Sequence, residues 1–433
     1  MRVLSTELIN NDGATVEAAG WVRSSRELAK LVFFTIADRA GRFQAIVKDP
    51  ALVPSAKKVG LEDVVWLKGI AHKNDKVKEG GVELEVTQLA VLATADRKLP
   101  VDVAGKTESA FDTRFDHRVL DLRGEKRQAI FAVRNTICQA FREHLVSQDF
   151  TEIHTPKIIA TGTEGGANLF PVVYFGREAF LAQSPQFYKQ MLVGAGFERV
   201  FEVAPVYRAE EHDTPFHLNE YISLDFEFGF INNEEDVMAM SAGTIEAVLE
   251  RLLEENAREL EYFKAGLQVP KLPLPIVRYW EIPKIMESMG KEFADPMADL
   301  GREHEEALCK WAAEKHGSDF VFVDHYPAVK RPAYTMPYEQ DARYTRGYDL
   351  LYRGLEIVTG GQRIHNYTML WDAFAKKGYR PEDFEFYFEV FKYGMPPHGG
   401  QATGLERLTM KLLGLDNVRE ASFFPRDKKR LSP

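Results

Sequence analysis

Hydrophobic periodicity changes near residue 125, and this restricts the fold more than any other feature of the chain. Before that point the apolar residues come in short runs: Val16–Val22, Val32–Ala37, Phe43–Val47, Val64–Ile70 and Val82–Leu92. The runs are rich in β-branched and aromatic side chains, the last alternates clearly, and Asp38–Gly41 reads as a turn. Beyond it, Ile130, Phe131, Val133, Ile137, Ala140, Phe141 and Leu145 recur at three- and four-residue intervals, the spacing of an amphipathic helix. A chain that switches period in this way builds two cores of different architecture.

The first core is expected to be a five-stranded Greek-key barrel of the OB type, with a short helical stretch near residues 50–60. Residues 94–125 are polar with little periodicity, so 101–125 are read as a hinge. Strands follow at 150–156, 199–207 and 221–230, with a helix over 233–257, then a further strand pair and a glycine-rich C-terminal helix. The βαβ rhythm is missing, so an antiparallel sheet flanked by helices is favoured over a doubly wound one. The fold class is α+β, with domains 1–100 (barrel), 101–125 (hinge) and 126–433.

The chain has 433 residues, 45% hydrophobic and 28% charged, which is enough apolar material for these cores and excludes a disordered or fibrous chain. Cys138 and Cys309 are too few for a disulfide framework or a cysteine-built zinc site. There is no apolar core of signal-peptide length and no run of about 18 apolar residues, so a soluble, cytoplasmic protein without a membrane partner is expected. A net charge of −10 argues against an indiscriminate nucleic-acid binder. The first 100 residues nevertheless carry 15 basic and 13 acidic side chains, against 40 and 52 in the remainder. That asymmetry marks a separate unit and leaves room for a selective RNA partner.

Four segments hold residues suited to chemistry. Arg208–Glu220 joins two predicted strands; Arg208 and His217 can donate to phosphate oxygens, although a solvated hairpin loop has the same composition. Asp349–Glu356 reads as a hairpin centred near Tyr352–Gly354 that sets Asp349 and Glu356 roughly opposite each other. Such a pair suits Mg²⁺, or is a pair of exposed edge carboxylates. Gly399–Met410 leads glycines into a helix opened by Arg407, which permits close backbone approach to a ligand but is weak evidence alone. Gln183–Gln190 offers a lysine and glutamines for a small polar substrate, or simply a surface helix. No Gly-x-Ser-x-Gly elbow, Walker loop or His-Glu-x-x-His occurs, and a metal site on His212 and His217 rests on little.

In order and together, these segments resemble the signature regions of class II aminoacyl-tRNA synthetases, and more narrowly the archaeal type of aspartyl-tRNA synthetase, over essentially the whole chain. The helix ending in Phe150–Lys157 resembles motif 1, which builds the homodimer in that family. Val206–Glu211 resembles motif 2, Gly404–Arg407 motif 3, and Phe423–Pro433 the C-terminal run. The resemblance implies ATP-dependent activation of aspartate to an adenylate, with Mg²⁺ as cofactor, and transfer to tRNA-Asp, tRNA-Asn being left open. It implies Arg208 and Arg407 as catalytic cations. Glu164, Gln186, Lys189, Arg208, Asp225, Thr359 and Arg363 would surround aspartate. Arg208, Glu210, His217, Tyr221, Glu356, Gly404, Leu405, Glu406 and Arg407 would surround ATP. Asp349 and Glu356 would hold the metal, and Arg26, Phe33 and Gln44 of the barrel would read the anticodon.

The cations Lys189 and Arg363 suit a β-carboxylate better than an amide. Two positions depart from the family: Ala402 stands where motif 3 usually has glycine, and Ala37 where an arginine often precedes Asp38. The competing readings are an asparaginyl-tRNA synthetase, a paralogue that turns aspartyl-adenylate into asparagine, and a catalytically silent RNA-binding protein. The barrel argues against the paralogue.

Overall fold

A period of two buries one face of each early strand and leaves the other outside. In the computed structural model, which describes residues 2–78, 80–105, 107–162, 168–211, 213–293 and 295–433, that pattern closes into a barrel. Its strands are β1 (Thr15–Glu27), β2 (Val32–Ala37), β3 (Arg42–Val47), β4 (Val64–Lys73) and β5 (Val82–Ala93), in the order β1-β2-β3-β5-β4. Val22, Phe34, Ile36, Phe43, Leu67 and Leu84 fill its core. A single helical turn, Val53–Ala56, occupies the expected helical stretch.

Residues 101–125 differ from the expected hinge. They contain two short helices, Phe111–Asp116 and Arg118–Asp121, and up to Gly124 they fall in one compact unit with the barrel, Met1–Gly124. Electrostatics explains why. Glu62 is buried between Arg23 and Arg123, the latter at 2.8 Å, and Arg23 donates to the Arg123 carbonyl at 3.2 Å. Arg114 and Arg118, both buried, pair with Asp121 at 3.0 and 2.5 Å. A charged composition reads as solvated when its partners are distant in sequence.

The second unit, Glu125–Pro433, is built on an eight-stranded sheet. Along the chain come β6 (Thr151–Glu152), then the small-sheet strands β7 (Ile158–Ile159), β8 (Pro171–Tyr174) and β9 (Arg177–Leu181), then β10 (Arg199–Tyr207) and β11 (Glu220–Gly229). They are followed by β12 (Ile276–Arg278), β13 (Phe320–Asp324), β14 (Gly347–Tyr352), β15 (Leu355–Arg363) and β16 (His398–Gly404). The large sheet has the order β12-β13-β14-β15-β16-β11-β10-β6, antiparallel except at its edges, where β6 pairs with β10 and β12 with β13 in parallel. The predicted amphipathic helix is Glu125–Ser147, packed on the helix Glu234–Glu255. It ends where Asp149 takes a left-handed φ of 64° and Phe150 N–H donates to the Leu145 carbonyl at 3.0 Å. No helix among the described residues is long and apolar enough to cross a membrane.

The β14–β15 hairpin turns on Arg353 and Gly354, with φ of 45° and 80°, the two-residue geometry that matches strand twist. Asp319 and the Ala265 carbonyl, each 3.1 Å from the Arg353 guanidinium, hold the non-glycine residue there. Asp349 and Glu356 are not opposite each other. Asp349 pairs with Thr359 and Glu356 with Leu351, because a bulge between Leu350 and Leu351 makes Ile357 an extra residue on β15. The bulge re-aims side chains, and Glu356, Ile357 and Thr359 all line one cavity.

Candidate active site

Strands β11, β15 and β16 lie side by side at the centre of the sheet, and two cavities of about 240 Å³ each open against them. Glu210, Phe216, His217, Gly404, Glu406 and Arg407 line the first. Gln186, Arg331, Tyr334 and Arg363 line the second. Arg208, Tyr221, Ser223, Glu356, Thr359 and Ala402 line both, so the Arg208 guanidinium stands on the shared wall. It lies 5.8 Å from the centroid of the Tyr221 ring, while Arg407 donates to the Phe216 carbonyl at 3.2 Å.

Beneath the second cavity runs a buried ionic network. Arg363 Nε donates to Glu227 at 3.0 Å, and its Nη2 donates to the Gly400 carbonyl at 2.9 Å. Nη1 of Arg363 has no hydrogen-bond partner among the described residues. Lys189 donates to Asp225 and the Gln401 carbonyl, both at 2.9 Å, and lies 3.4 Å from Glu227. Burial pushes the Glu227 carboxyl up, but Arg363 and Lys189 outweigh it and hold the group below its usual range. Gly400 makes this packing possible: a Cβ there would sit 2.1 Å from the Phe226 carbonyl oxygen and 2.2 Å from the Glu227 carboxylate.

At the other end, Arg331 reaches Asp349 at 2.8 Å and Thr359 at 3.0 Å, and stacks 3.7 Å from the Tyr326 centroid. The second oxygen of Asp349, Oδ1, is buried without a hydrogen-bond partner among the described residues. Burial, then the charge of Asp349, raises the Glu356 pKa, against the pull of Arg407, Arg331 and Arg208. Glu305, from the helix Arg302–His316, accepts from the Glu356 amide at 3.3 Å; burial and the charges of Glu356 and Asp349 push its pKa up to about 8.

Residues 110–428 match the family model of tRNA synthetases class II (D, K and N), and residues 16–92 that of the OB-fold nucleic acid binding domain. The chain belongs to the class II tRNA synthetases (D, K and N). Among curated proteins it is 44% identical to an aspartate–tRNA(Asp) ligase of Pyrococcus horikoshii, over 99% of this chain and 98% of that one. It is 45% identical to an aspartate–tRNA(Asp/Asn) ligase of Deinococcus radiodurans, over 100% and 99%. Among solved structures, asparaginyl-tRNA synthetase from P. horikoshii complexed with asparaginyl-adenylate superposes with a TM-score of 0.93 at 30% identity, covering all of both chains.

The synthetase brings most of the expected residues to the two cavities, with differences that follow from packing. Lys189 and Asp225 lie under the floor, 1% exposed each, and line neither cavity, because their charges satisfy each other. Leu405 is buried behind Gly404. Glu406 is bound at both oxygens, to Arg134 at 2.6 Å and the Ile222 amide at 3.0 Å, so it ties the helix Glu125–Ser147 to β11. Glu164 and His212 lie outside the described residues. Arg331, Glu227, Glu305 and Phe216 escaped the sequence reading. A single arginine in Lys330-Arg331-Pro332 has no spacing that marks it, whereas Glu227 alternates with Asp225 and could have been found as a counter-ion.

In the synthetase's barrel, Arg26 pairs with Phe33 across β1–β2, and Thr35 with Gln44 across β2–β3. The half-buried Phe33 and Gln44 point away from the core, and the Gln44 amide nitrogen donates to Glu83, which orients its carbonyl. An aromatic face beside an oriented amide is chemistry for a single-stranded base.

His398 yields a pH prediction. Its ring is buried, with Nδ1 2.9 Å from the Pro396 carbonyl and Nε2 2.7 Å from the Gln190 amide, and burial pushes its pKa down to about 4. Unfolded chains take up a proton below about pH 6.5 that the native state refuses until about 4, so this stability is present above 6.5 and lost as pH falls. The expected loss from this group between pH 7 and 5 is about 2 kcal/mol. Urea midpoints at both pH values for wild type and His398→Gln measure it; an equal drop in both proteins would refute the assignment.

Proposed function

We propose that this protein is an aspartate–tRNA ligase that activates L-aspartate with ATP and passes it to tRNA-Asp, with tRNA-Asn as a further acceptor to be tested. The observation that carries the reading is the pair of adjoining cavities in which Arg208 faces both and Arg407 and Arg363 face one each. In the first step an oxygen of the aspartate α-carboxylate attacks the α-phosphorus, the bond to the β-phosphate breaks, and pyrophosphate leaves. In the second a terminal ribose hydroxyl attacks the aspartyl carbonyl, and AMP leaves.

Arg208 bridges the α-carboxylate and α-phosphate, Tyr221 and Glu210 meet adenine, and His217 and Arg407 hold the phosphate tail. Gln186, Thr359 and the Nη1 of Arg363 meet aspartate, with Lys189 and Asp225 acting from below through the network of Glu227. Catalysis is positioning and charge neutralisation, without a protein nucleophile. The unpartnered Oδ1 of Asp349 beside Glu356, whose carboxyl is held toward its neutral form, fits a Mg²⁺ ion bound by these two residues. Bound there, such an ion neutralises triphosphate charge.

Pyrophosphate exchange into ATP with aspartate and with asparagine, followed by charging of purified tRNA-Asp and tRNA-Asn, tests the reading. Exchange with asparagine alone would overturn it in favour of the amide-using enzyme. Arg26, Phe33 and Gln44 are the proposed anticodon contacts. A lost stacking platform costs about 1–3 kcal/mol per base. Phe33→Ala should therefore raise the KM for tRNA about tenfold and leave exchange unchanged; an unaltered tRNA KM would remove the residue from the interface. The protein is further read as a cytoplasmic homodimer, with Val173 and Phe175, 87% and 92% exposed, as apolar surface for a partner. Sedimentation equilibrium measures the mass directly.

A further inference from the structure

On the helix side of the large sheet, outside both substrate cavities, lies a buried polar cluster. Gln401 and Thr403 of β16, Tyr348 of β14 and Ser241 of the helix Glu234–Glu255 are each no more than 2% exposed. The Ser241 hydroxyl donates to the side-chain carbonyl of Gln401 and lies 2.6 Å from the Tyr348 hydroxyl. Gln401 Nε2 donates to Thr403 Oγ1 at 3.2 Å. An amide buried between sheet and helix costs free energy unless it is bonded, whereas an apolar side chain of the same size needs no partners. Packing alone therefore gives no reason for Gln401.

Its main chain supplies one. Side chains alternate along β16, so Gly400 and Ala402 face the substrates and Gln401 points the other way. The carbonyl of Gln401 nevertheless accepts from Lys189 at 2.9 Å, and that of Gly400 from Arg363 at 2.9 Å. Gly399 and Gly400 precede Gln401, while Gly361 and Gly360 stand opposite Gly400 and Gln401 on β15. No side chain pins either strand there until Gln401 itself. Tyr348 crosses this gap: a Cβ on Gly360 would lie 2.5 Å from its ring, so the glycine lets the ring pass toward Ser241 and Gln401. The cluster thus ties β14, β16 and the helix together at the residue whose carbonyl holds Lys189.

We propose that Gln401 is a positioning residue for aspartate: locked from behind by Ser241 and Tyr348, it fixes the two carbonyls that aim Lys189 and Arg363. The proposal rests on the ligase reading above and adds no covalent step to it.

The test uses the full-length protein. Gln401→Met keeps the length of the side chain and removes its hydrogen bonds, while Ser241→Ala and Tyr348→Phe remove its partners. Pyrophosphate exchange gives kcat and the KM values for aspartate, asparagine and ATP, and urea unfolding gives stability. Gln401→Met should raise the aspartate KM about tenfold, the worth of one hydrogen bond to a charged group. The preference for aspartate over asparagine should fall with it, while kcat and the ATP KM stay within about twofold of wild type. Combining all three substitutions removes the hydroxyls that Gln401→Met strands, so stability should return toward wild type while the aspartate KM stays high. Recovery of that KM together with stability would mean that the single variant acts only through loosened packing, and overturns the proposal. An aspartate KM unchanged in Gln401→Met overturns it too, as does a parallel loss in kcat and ATP binding. Should Gln401→Met fail to fold, Ser241→Ala carries the same expectation and the same refutation. Absence of aspartate-dependent exchange in the wild-type protein instead overturns the ligase reading.

Discussion

Arg208→Ala should lower aspartate-dependent pyrophosphate exchange by about a thousandfold or more, a loss of about 4 kcal/mol of transition-state stabilisation. The size follows from position. Among the described residues its guanidinium lines both substrate cavities, where the attacking carboxylate and the α-phosphate both bring negative charge. The side chain is 36% exposed, so the fold is expected to hold, which the melting temperature of the variant checks. Arg208→Lys should recover little, since a point charge cannot span two anionic groups as a planar fork does. Exchange near the wild-type rate, with an unshifted melting temperature, would remove Arg208 from the chemistry.

The second large effect is on stability. Glu227 is fully buried and is the shared counter-ion of Arg363, at 3.0 Å, and Lys189, at 3.4 Å. Removing one member of a buried ionic network strands the others, which costs about 3–5 kcal/mol. Glu227→Ala should therefore destabilise the larger unit by that amount in urea unfolding and raise the aspartate KM, because Arg363 loses the carboxylate that aims it. Adding Lys189→Met should cost further stability, since buried Asp225, paired with Lys189 at 2.9 Å, is then stranded in turn. A single-variant loss below about 1 kcal/mol would mean the network is not tightly coupled.

Legibility varied with the kind of information each element needs. The barrel strands were readable because alternation is local, and three of the five runs lie within one residue of their strand ends, while β4 continues three residues past Ile70 to Lys73 and β1 five residues past Val22 to Glu27. The helix Glu125–Ser147 was readable for the same reason. The hinge was not: Arg114, Arg118 and Arg123 look solvated until Asp121 and Glu62 are known to be beside them. The carboxylate pair at 349 and 356 was found, but its register was missed, since a bulge has no composition of its own.

The candidate site divides along the same line. Its cations Arg208, Arg363 and Arg407 were named before any fold was known because the segments that carry them resemble those of class II aminoacyl-tRNA synthetases; residue types and spacing alone left bland alternatives open. Pairing is different. That Lys189 is consumed by Asp225, that Glu406 holds Arg134 rather than a ligand, and that Arg331 joins the wall beside Asp349 depends on which strands become neighbours. Charge is inherited from the residue, but its availability to a ligand is fixed by whatever packing brings within about 3 Å of it.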